Sequence, residues 1–501
     1  MGVSKRMRIV GGVTAGLAIL IALFYAEEDW RGAREWARVK AGLSAKGEPL
    51  SIEALTPPLL LPGDEVPPIL AELYRDDAPK GPLGSLSLQL RVSGVGSGRP
   101  DAPKVAGVGD RVPFNLAAWQ KPLTGKVNPA DSAADIVEAL QPSQPVLDEL
   151  RAALAPPVRC TLPPQPFLHP PLALRNRYYP QIGVGRFLQL KAMAEIEAGR
   201  GDAALDDLET GFRFSEWAGE GDTRDQQIGG MDGEVMLAAL RQGLEKRMWN
   251  EEQLRRAAQL AAEFQPLSAF REAARRERVF VLRDIDGWAG HPLDLGEALF
   301  RSSPSRDLLE TIVDVAIVLR PRGWARIDEA SYAEAVQAMG VDAVDPEHGC
   351  VDAGTFQRGL DLVYGNGSLI PAVFFHGFGI MAFRASGFAE CVSDNAISQS
   401  QTAEARIACA LEGYRLRAGT LPETLDTLVP DFLPVLPVDP LGLPLRYRVE
   451  GDGYLLYSPE SAAPEQGSQF PPAERRIVRR QRDWTWASRP DLYKFLPERG
   501  P

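Results

Sequence analysis

Asp342, Asp345, Glu347, His348 and Asp352 surround Cys350 in one short acidic loop, and together they are plausible ligand types for a cation. Their spacing matches neither an EF-hand nor the H-E-x-x-H of zinc proteases, motifs in which the ligands recur at intervals that make them converge. A solvated loop without a metal is the expectation. His376-Gly377-Phe378-Gly379 has the look of an esterase oxyanion loop, but that chemistry also needs a G-x-S-x-G turn to present its serine, and the chain has none. The apolar neighbours Val373, Phe374, Phe375, Ile380 and Met381 predict a core segment there instead. Leu369 to Phe383 is too short for a membrane span. Four histidines, none near another, give little material for histidine-based metal or triad chemistry. Paired carboxylates of the glycosidase kind need no local motif, so the 67 acidic residues leave that reaction open without pointing to it. No catalytic, cofactor-binding or metal residue is singled out, and no cofactor is expected.

The elements around these residues are more informative. Ile9 to Tyr25 is an uncharged run of 17 residues, preceded by Lys5, Arg6 and Arg8 and followed by Glu27, Glu28 and Asp29. At ~1.5 Å per residue it spans roughly 26 Å, the short end of what crosses a bilayer core. The cations predict a cytoplasmic N-terminus (1–8), an anchor over 9–26 and an extracytoplasmic remainder. A cleaved signal peptide is the alternative, but Phe24-Tyr25-Ala26 puts a large ring where the cleavage site wants a small residue. Gly12 and Gly16 have the G-x-x-x-G spacing that brings two membrane helices together, which raises a homodimer.

Hydrophobic content of 45% and charged content of 24% are those of a folded protein, and 501 residues suffice for about three domains. The net charge of −12 argues against nucleic acid as the main partner. Arg475, Arg476, Arg479, Arg480 and Arg482 form a basic tail that reads as a solvated face. Cys160, Cys350, Cys391 and Cys409 would lie on the oxidising side, where disulfides are permitted, and their pairing is left open. Cys409, beside Ile407 and Leu411, suits a buried thiol.

Residues 27–46 read as a juxtamembrane helix, with Trp30 and Trp36 near the interface. The next region, 47–180, carries 23 of the 42 prolines between Pro49 and Pro180, which excludes long helices over most of it and predicts a mixed α/β region. Leu86, Leu88, Leu90 and Val92 alternate with polar residues and predict a strand. From 181 to 395 the period is helical. Phe187 to Ala198, a Gly199-Arg200-Gly201 turn, and a helix with Asp202 as N-cap through Leu205, Leu208 and Phe212 predict one tetratricopeptide-like hairpin in a bundle. Further helices are expected through Val235 to Leu244, from an Asn250/Gln253 capping box, over Leu267 to Leu282, and over Leu308 to Leu319. In the last unit, 396–501, a helix over Ala396 to Ala418 stops at Gly419. A helical turn through Leu425 and Leu428 comes next, and then strands over Leu445 to Val449 and Tyr454 to Tyr457 flank a Glu450-Gly451-Asp452-Gly453 turn. The fold class is α+β, mainly α.

Pro437-Val438-Asp439-Pro440-Leu441-Gly442-Leu443-Pro444-Leu445-Arg446-Tyr447 and Asp452-Gly453-Tyr454-Leu455-Leu456-Tyr457-Ser458 resemble the globular domain of type II secretion major pseudopilins. The resemblance implies a long helix packed on a small antiparallel sheet. Two parts of that family's pattern are missing: the processing site directly ahead of the helix, and the acidic calcium loop, where this chain has Ser458-Pro459-Glu460-Ser461. A calcium ion takes about six oxygens, so none is expected here. The whole chain resembles a family of membrane-anchored bacterial proteins that carries no assigned activity. The stretches are Asp29-Trp30-Arg31-Gly32, Trp249-Asn250-Glu251-Glu252-Gln253-Leu254, Pro321-Arg322-Gly323-Trp324, Ala410-Leu411-Glu412-Gly413-Tyr414-Arg415 and Asp483-Trp484-Thr485-Trp486.

These features predict a single-pass inner-membrane protein, held by lipid around residues 9–26, whose extracytoplasmic part is a structural or docking module for an envelope or secretion protein. It is not expected to be an enzyme. The alternatives are an envelope hydrolase with a dispersed carboxylate site, and a wall polysaccharide or peptide binding module that uses Trp484 and Trp486.

Overall fold

The computed structural model describes residues 2–55, 66–74, 80–86, 115–155, 171–290, 319–364, 380–458, 485–489 and 491–492. The chain enters through one unbroken helix, α1 (Gly2–Ala45), because no proline interrupts it before Pro49. Its first half carries a window long and apolar enough to cross a membrane, and none of that window is buried against the rest of the chain. Ile9, Val13, Leu17, Leu20 and Leu23 all stand exposed. Its second half does the opposite. Val39 and Leu43 pack into a small core with Leu282, Ala330 and Ala333.

Short helices follow where proline is dense: α2 (Leu116–Thr124), α3 (Ser132–Leu140) and α4 (Gln144–Leu154). The strand expected over Leu86 to Val92 lies outside the described residues except for Leu86, which ends a short helical turn and is buried. The bundle is built from α5 (Pro171–Glu197), α6 (Gly201–Ala218), α7 (Thr223–Glu245), α8 (Glu251–Glu263) and α9 (Pro266–Gly290). Gly199 turns between α5 and α6 with φ +75°, a conformation that costs glycine little. Asp202 is not the cap of α6. The helix already starts at Gly201, and the Asp202 carboxylate instead accepts from Gln253 Nε2 at 2.7 Å, across to α8. The Asn250/Gln253 capping box does form, with both bonds at 3.0 Å. A second box, Asp222 with Asp225, starts α7.

Beyond the bundle come α10 (Arg322–Val336), the hairpin of β1 (Val344–Asp345) and β2 (Cys350–Val351), α11 (Ala353–Tyr364) and α12 (Ile380–Ala418). Of the expected helix over Leu308 to Leu319, only Leu319 is described. Helix α12 begins 16 residues before Ala396 (396 − 380) and stops where expected, at Gly419 with φ +76°. Its length lets it join two cores. Phe388, Val392 and Ile397 pack with α9, α10 and α11, whereas Ile407, Ala408 and Leu411 belong to the large core of the bundle.

The C-terminal sheet lies on that second half. β3 (Arg446–Glu450), β4 (Gly453–Tyr457) and β5 (Thr485–Ala487) pair antiparallel in that order, with Gly451 at φ +64° in the β3–β4 turn. The sheet needs β5 because β4 is buried over Gly453 to Leu456 and so must be paired on both sides. Trp486 of β5 is 1% exposed and sits in the core with Tyr454 and Leu456, so it does not offer its ring to a polysaccharide. Trp484 and the basic tail lie outside the described residues. Cys350, Cys391 and Cys409 are free thiols, the last two buried. Burial pushes the Cys391 thiol up to about 12. Trp486→Ala should cost about 3–5 kcal/mol, as removal of a buried indole does, and denaturant unfolding measures it.

Candidate functional site

The most specific arrangement in the molecule lies where α1 leaves its apolar half. There α10 runs alongside α1 in the same direction. Asp29 Oδ1 accepts from the Gly323 amide at 2.7 Å, Glu28 Oε2 from the Trp324 indole at 2.9 Å, Glu334 Oε1 from Arg38 at 2.9 Å, and Asp342 Oδ2 from Lys46 at 2.6 Å. The Tyr25 hydroxyl donates to the Leu319 carbonyl. Each pair is separated by 294 or 296 residues, so the two stretches keep nearly constant register from Tyr25 to Lys46.

Two glycines make this approach feasible. A Cβ on Gly32 would come within 2.0 Å of the Gly323 carbonyl oxygen, and a Cβ on Gly323 within 1.9 Å of the Glu28 carbonyl oxygen. The backbones themselves are in contact. The first residues of α10 have no side-chain cap of their own, since Pro321 supplies none. Asp29 takes that role from another helix: it satisfies an amide at the helix start and places a negative charge at the positive end of the dipole. Asp29-Trp30-Arg31-Gly32 and Pro321-Arg322-Gly323-Trp324 are therefore the two halves of one joint.

The far end of α1 is clamped as well. Glu48 receives Arg275 at 2.9 and 3.0 Å and Arg278 at 2.9 Å, and Arg278 is fully buried. Burial by itself would raise the Glu48 carboxyl, but the hydrogen bonds from Arg275 and Arg278 override it and hold the group down at about 2.

The acidic loop that sequence singles out is used locally. Asp345 accepts the amides of Glu347 and His348 and pairs with the His348 ring at 2.8 Å, Asp352 caps α11 through the Thr355 amide at 2.7 Å, and Asp342 pairs with Lys46. Asp342, Asp345, Asp352 and Cys350, with Leu441 and Leu443, line an open cleft of about 430 Å³. Among the described residues no group of three or more His, Cys, Asp or Glu is placed to hold a metal. His376 lies outside the described residues.

A second cleft, of about 320 Å³, carries the carboxylates that local motifs miss. The α6–α7 corner and the α8–α9 corner bring Glu216, Glu220, Glu263 and Glu272 together beside Arg276 and Phe264. The corner is tight because Ser215 Oγ donates to the Gly229 carbonyl at 2.6 Å and a Cβ on Gly229 would meet the Ser215 carbonyl at 2.4 Å. Burial first, and then the charges of Glu263 and Glu220, push the Glu216 carboxyl up to about 7. A group titrating near neutrality beside other carboxylates can give or take a proton. The one trace of it in the sequence is the like-charge pair Glu216 and Glu220 four residues apart, an unfavourable spacing on a free helix. Glu263 and Glu272 come from other helices and leave no such trace.

No family model, curated protein or solved structure matches this chain.

Glu48→Ala leaves Arg278 buried without its carboxylate and should cost about 3 kcal/mol at pH 7. The folded-state value of Glu48, about 2, lies below its ordinary 4.5, so its contribution is full above that value and is lost as pH falls through the window between them. The difference between wild type and variant in denaturant unfolding should therefore shrink across that interval.

Proposed function

We propose that this protein is a single-pass, membrane-anchored extracytoplasmic module that presents its helical body and C-terminal sheet to an envelope or secretion protein. One observation carries the reading. The bare apolar half of α1 continues without a break into a half that is locked to the body at Gly32, Gly323 and Glu48. A cleaved signal has no use for such a joint, whereas an anchor that must hold a body at fixed height and orientation does. The charges at the two ends of the apolar run favour the body outside the cytoplasm. The likeness of 396–458 to pseudopilins, proteins that pack against relatives of themselves, favours docking as the role of the C-terminal unit.

The envelope hydrolase remains a second reading, favoured by the cleft in which Glu216 titrates near 7 next to Glu220 and Glu263. In that reading Glu216 is the proton donor and a neighbouring carboxylate the base.

A reporter that works only outside the cytoplasm, fused after Pro501, should be active, and the same fusion with a cytoplasmic reporter should be silent. Crosslinking in intact cells should reproducibly capture the same envelope or secretion component. Turnover of an envelope polymer by the purified protein, abolished by Glu216→Gln without loss of folding, would decide for the hydrolase.

A further inference from the structure

We propose that the body itself touches lipid: the segment from Leu319 to Trp324, which leads into α10, sits in the bilayer interface beside Phe24 and Tyr25 and completes a span that α1 alone leaves short. The inference rests on the anchoring reading above. The apolar run of α1 covers roughly 26 Å at ~1.5 Å per residue, against a hydrocarbon core of ~30 Å. Such a deficit must be met by thinning the bilayer or by other residues at its edge.

The structure places those residues there. Tyr25, the last residue of the run, bonds to the Leu319 carbonyl, and the Phe24 ring meets the Trp324 ring edge-on at 6.4 Å. Leu319 and Phe24 are 61% and 47% exposed, large apolar surfaces at the level where the span ends. Of the three carboxylates that follow the run, Glu27 stands exposed, on the side that would face headgroups and water, and the two at the joint are occupied. Glu28 is buried against the Trp324 indole and Arg31, and Asp29 is spent on the Gly323 amide. Just above, Trp30 is exposed with the Arg34 guanidinium 5.4 Å from its ring, and Arg322 is exposed at the first turn of α10. Aromatic rings at the ends of a span with arginines beyond them are the composition of a headgroup belt, in which arginine also meets anionic phosphate. Parallel register fixes the height of this segment, because the five bonds that tie α1 and Lys46 to residues 319–342 join residues 294 or 296 apart.

The test uses the full chain in vesicles of phosphatidylethanolamine and phosphatidylglycerol, with a genetically encoded nitroxide at one of three exposed positions: Ile19, Leu319 or Val435. Exposed sites tolerate the label without cost to the core. Relaxation by dissolved oxygen against relaxation by an aqueous nickel chelate reports depth. Label 19 should favour oxygen strongly, label 435 should favour nickel, and label 319 should favour oxygen several-fold over label 435. If label 319 behaves like label 435 while label 19 stays in lipid, the second contact is wrong and the anchor stands. Nickel access at label 19 would remove the anchor itself. Shielding of label 319 from both reagents would mean that another protein surface, a second copy of the chain included, covers the segment, and that too overturns the proposal.

Discussion

The contact between the Gly32 and Gly323 backbones is the constraint on which the rest of the arrangement depends. Two helices can lie this close only where both lack a side chain, and the closeness allows Asp29 to reach the first amides of α10. Once that crossing is made, the remaining ties follow turn by turn along the shared direction, through Glu28 with Trp324, Arg38 with Glu334 and Lys46 with Asp342. The exposed ion pairs among these contribute little each. Their value is in register, because a slide of one turn would break all of them and drive a Cβ into a carbonyl. A helix fixed in this way moves the body whenever it tilts or rotates.

The interior shows the same preference for specific pairing over plain burial. Lys191 and Arg151 converge on Asp207, which is fully buried between α4, α5 and α6. Burial still outweighs the two cations and pushes the Asp207 carboxyl up to about 6. Along α12, Asn395 and Gln226 exchange amide bonds at 2.6 and 3.0 Å, and Ser398 donates to Glu234 at 2.7 Å. Further along the same helix Glu404 is fully buried, and burial lifts its carboxyl well above the usual range. Such pairs add little net stability, because desolvation cancels much of the attraction. They do fix how α12 is rotated against α7, and α12 is the element that joins the two cores.

The acidic loop and the acidic cleft illustrate how poorly residue type alone forecasts a site. The loop has the denser ligand set, but its carboxylates are consumed by amides, a histidine and a lysine within a few residues or across the α1 clamp. The cleft draws on Glu216, Glu263 and Glu272 from three helices and Glu220 from the α6–α7 turn, and only Glu216 and Glu220 are neighbours in sequence. Proximity there comes from the α6–α7 corner, which the close fit of Gly229 against α6 holds tight, and from the α8–α9 corner.

Signals that act within one or two turns were legible in the sequence. The exposed apolar half of α1, the Asn250/Gln253 box, the stop at Gly419 and the Gly451 turn all arise where the sequence places them, because each depends on atoms a few residues apart. Asp202 is not the cap because the helix already begins at Gly201, and its carboxylate binds Gln253 of α8. The side on which Trp486 would lie was undecided in an alternating strand and was settled by the sheet covering it. Only the tertiary structure could bring Asp29 to a helix that begins nearly three hundred residues later, or gather the carboxylates around Glu216. Nothing local to Asp29 distinguishes a charge that flanks a membrane from one that caps a distant helix. The distinction is made by two glycines, far apart in the chain, that allow two backbones to touch.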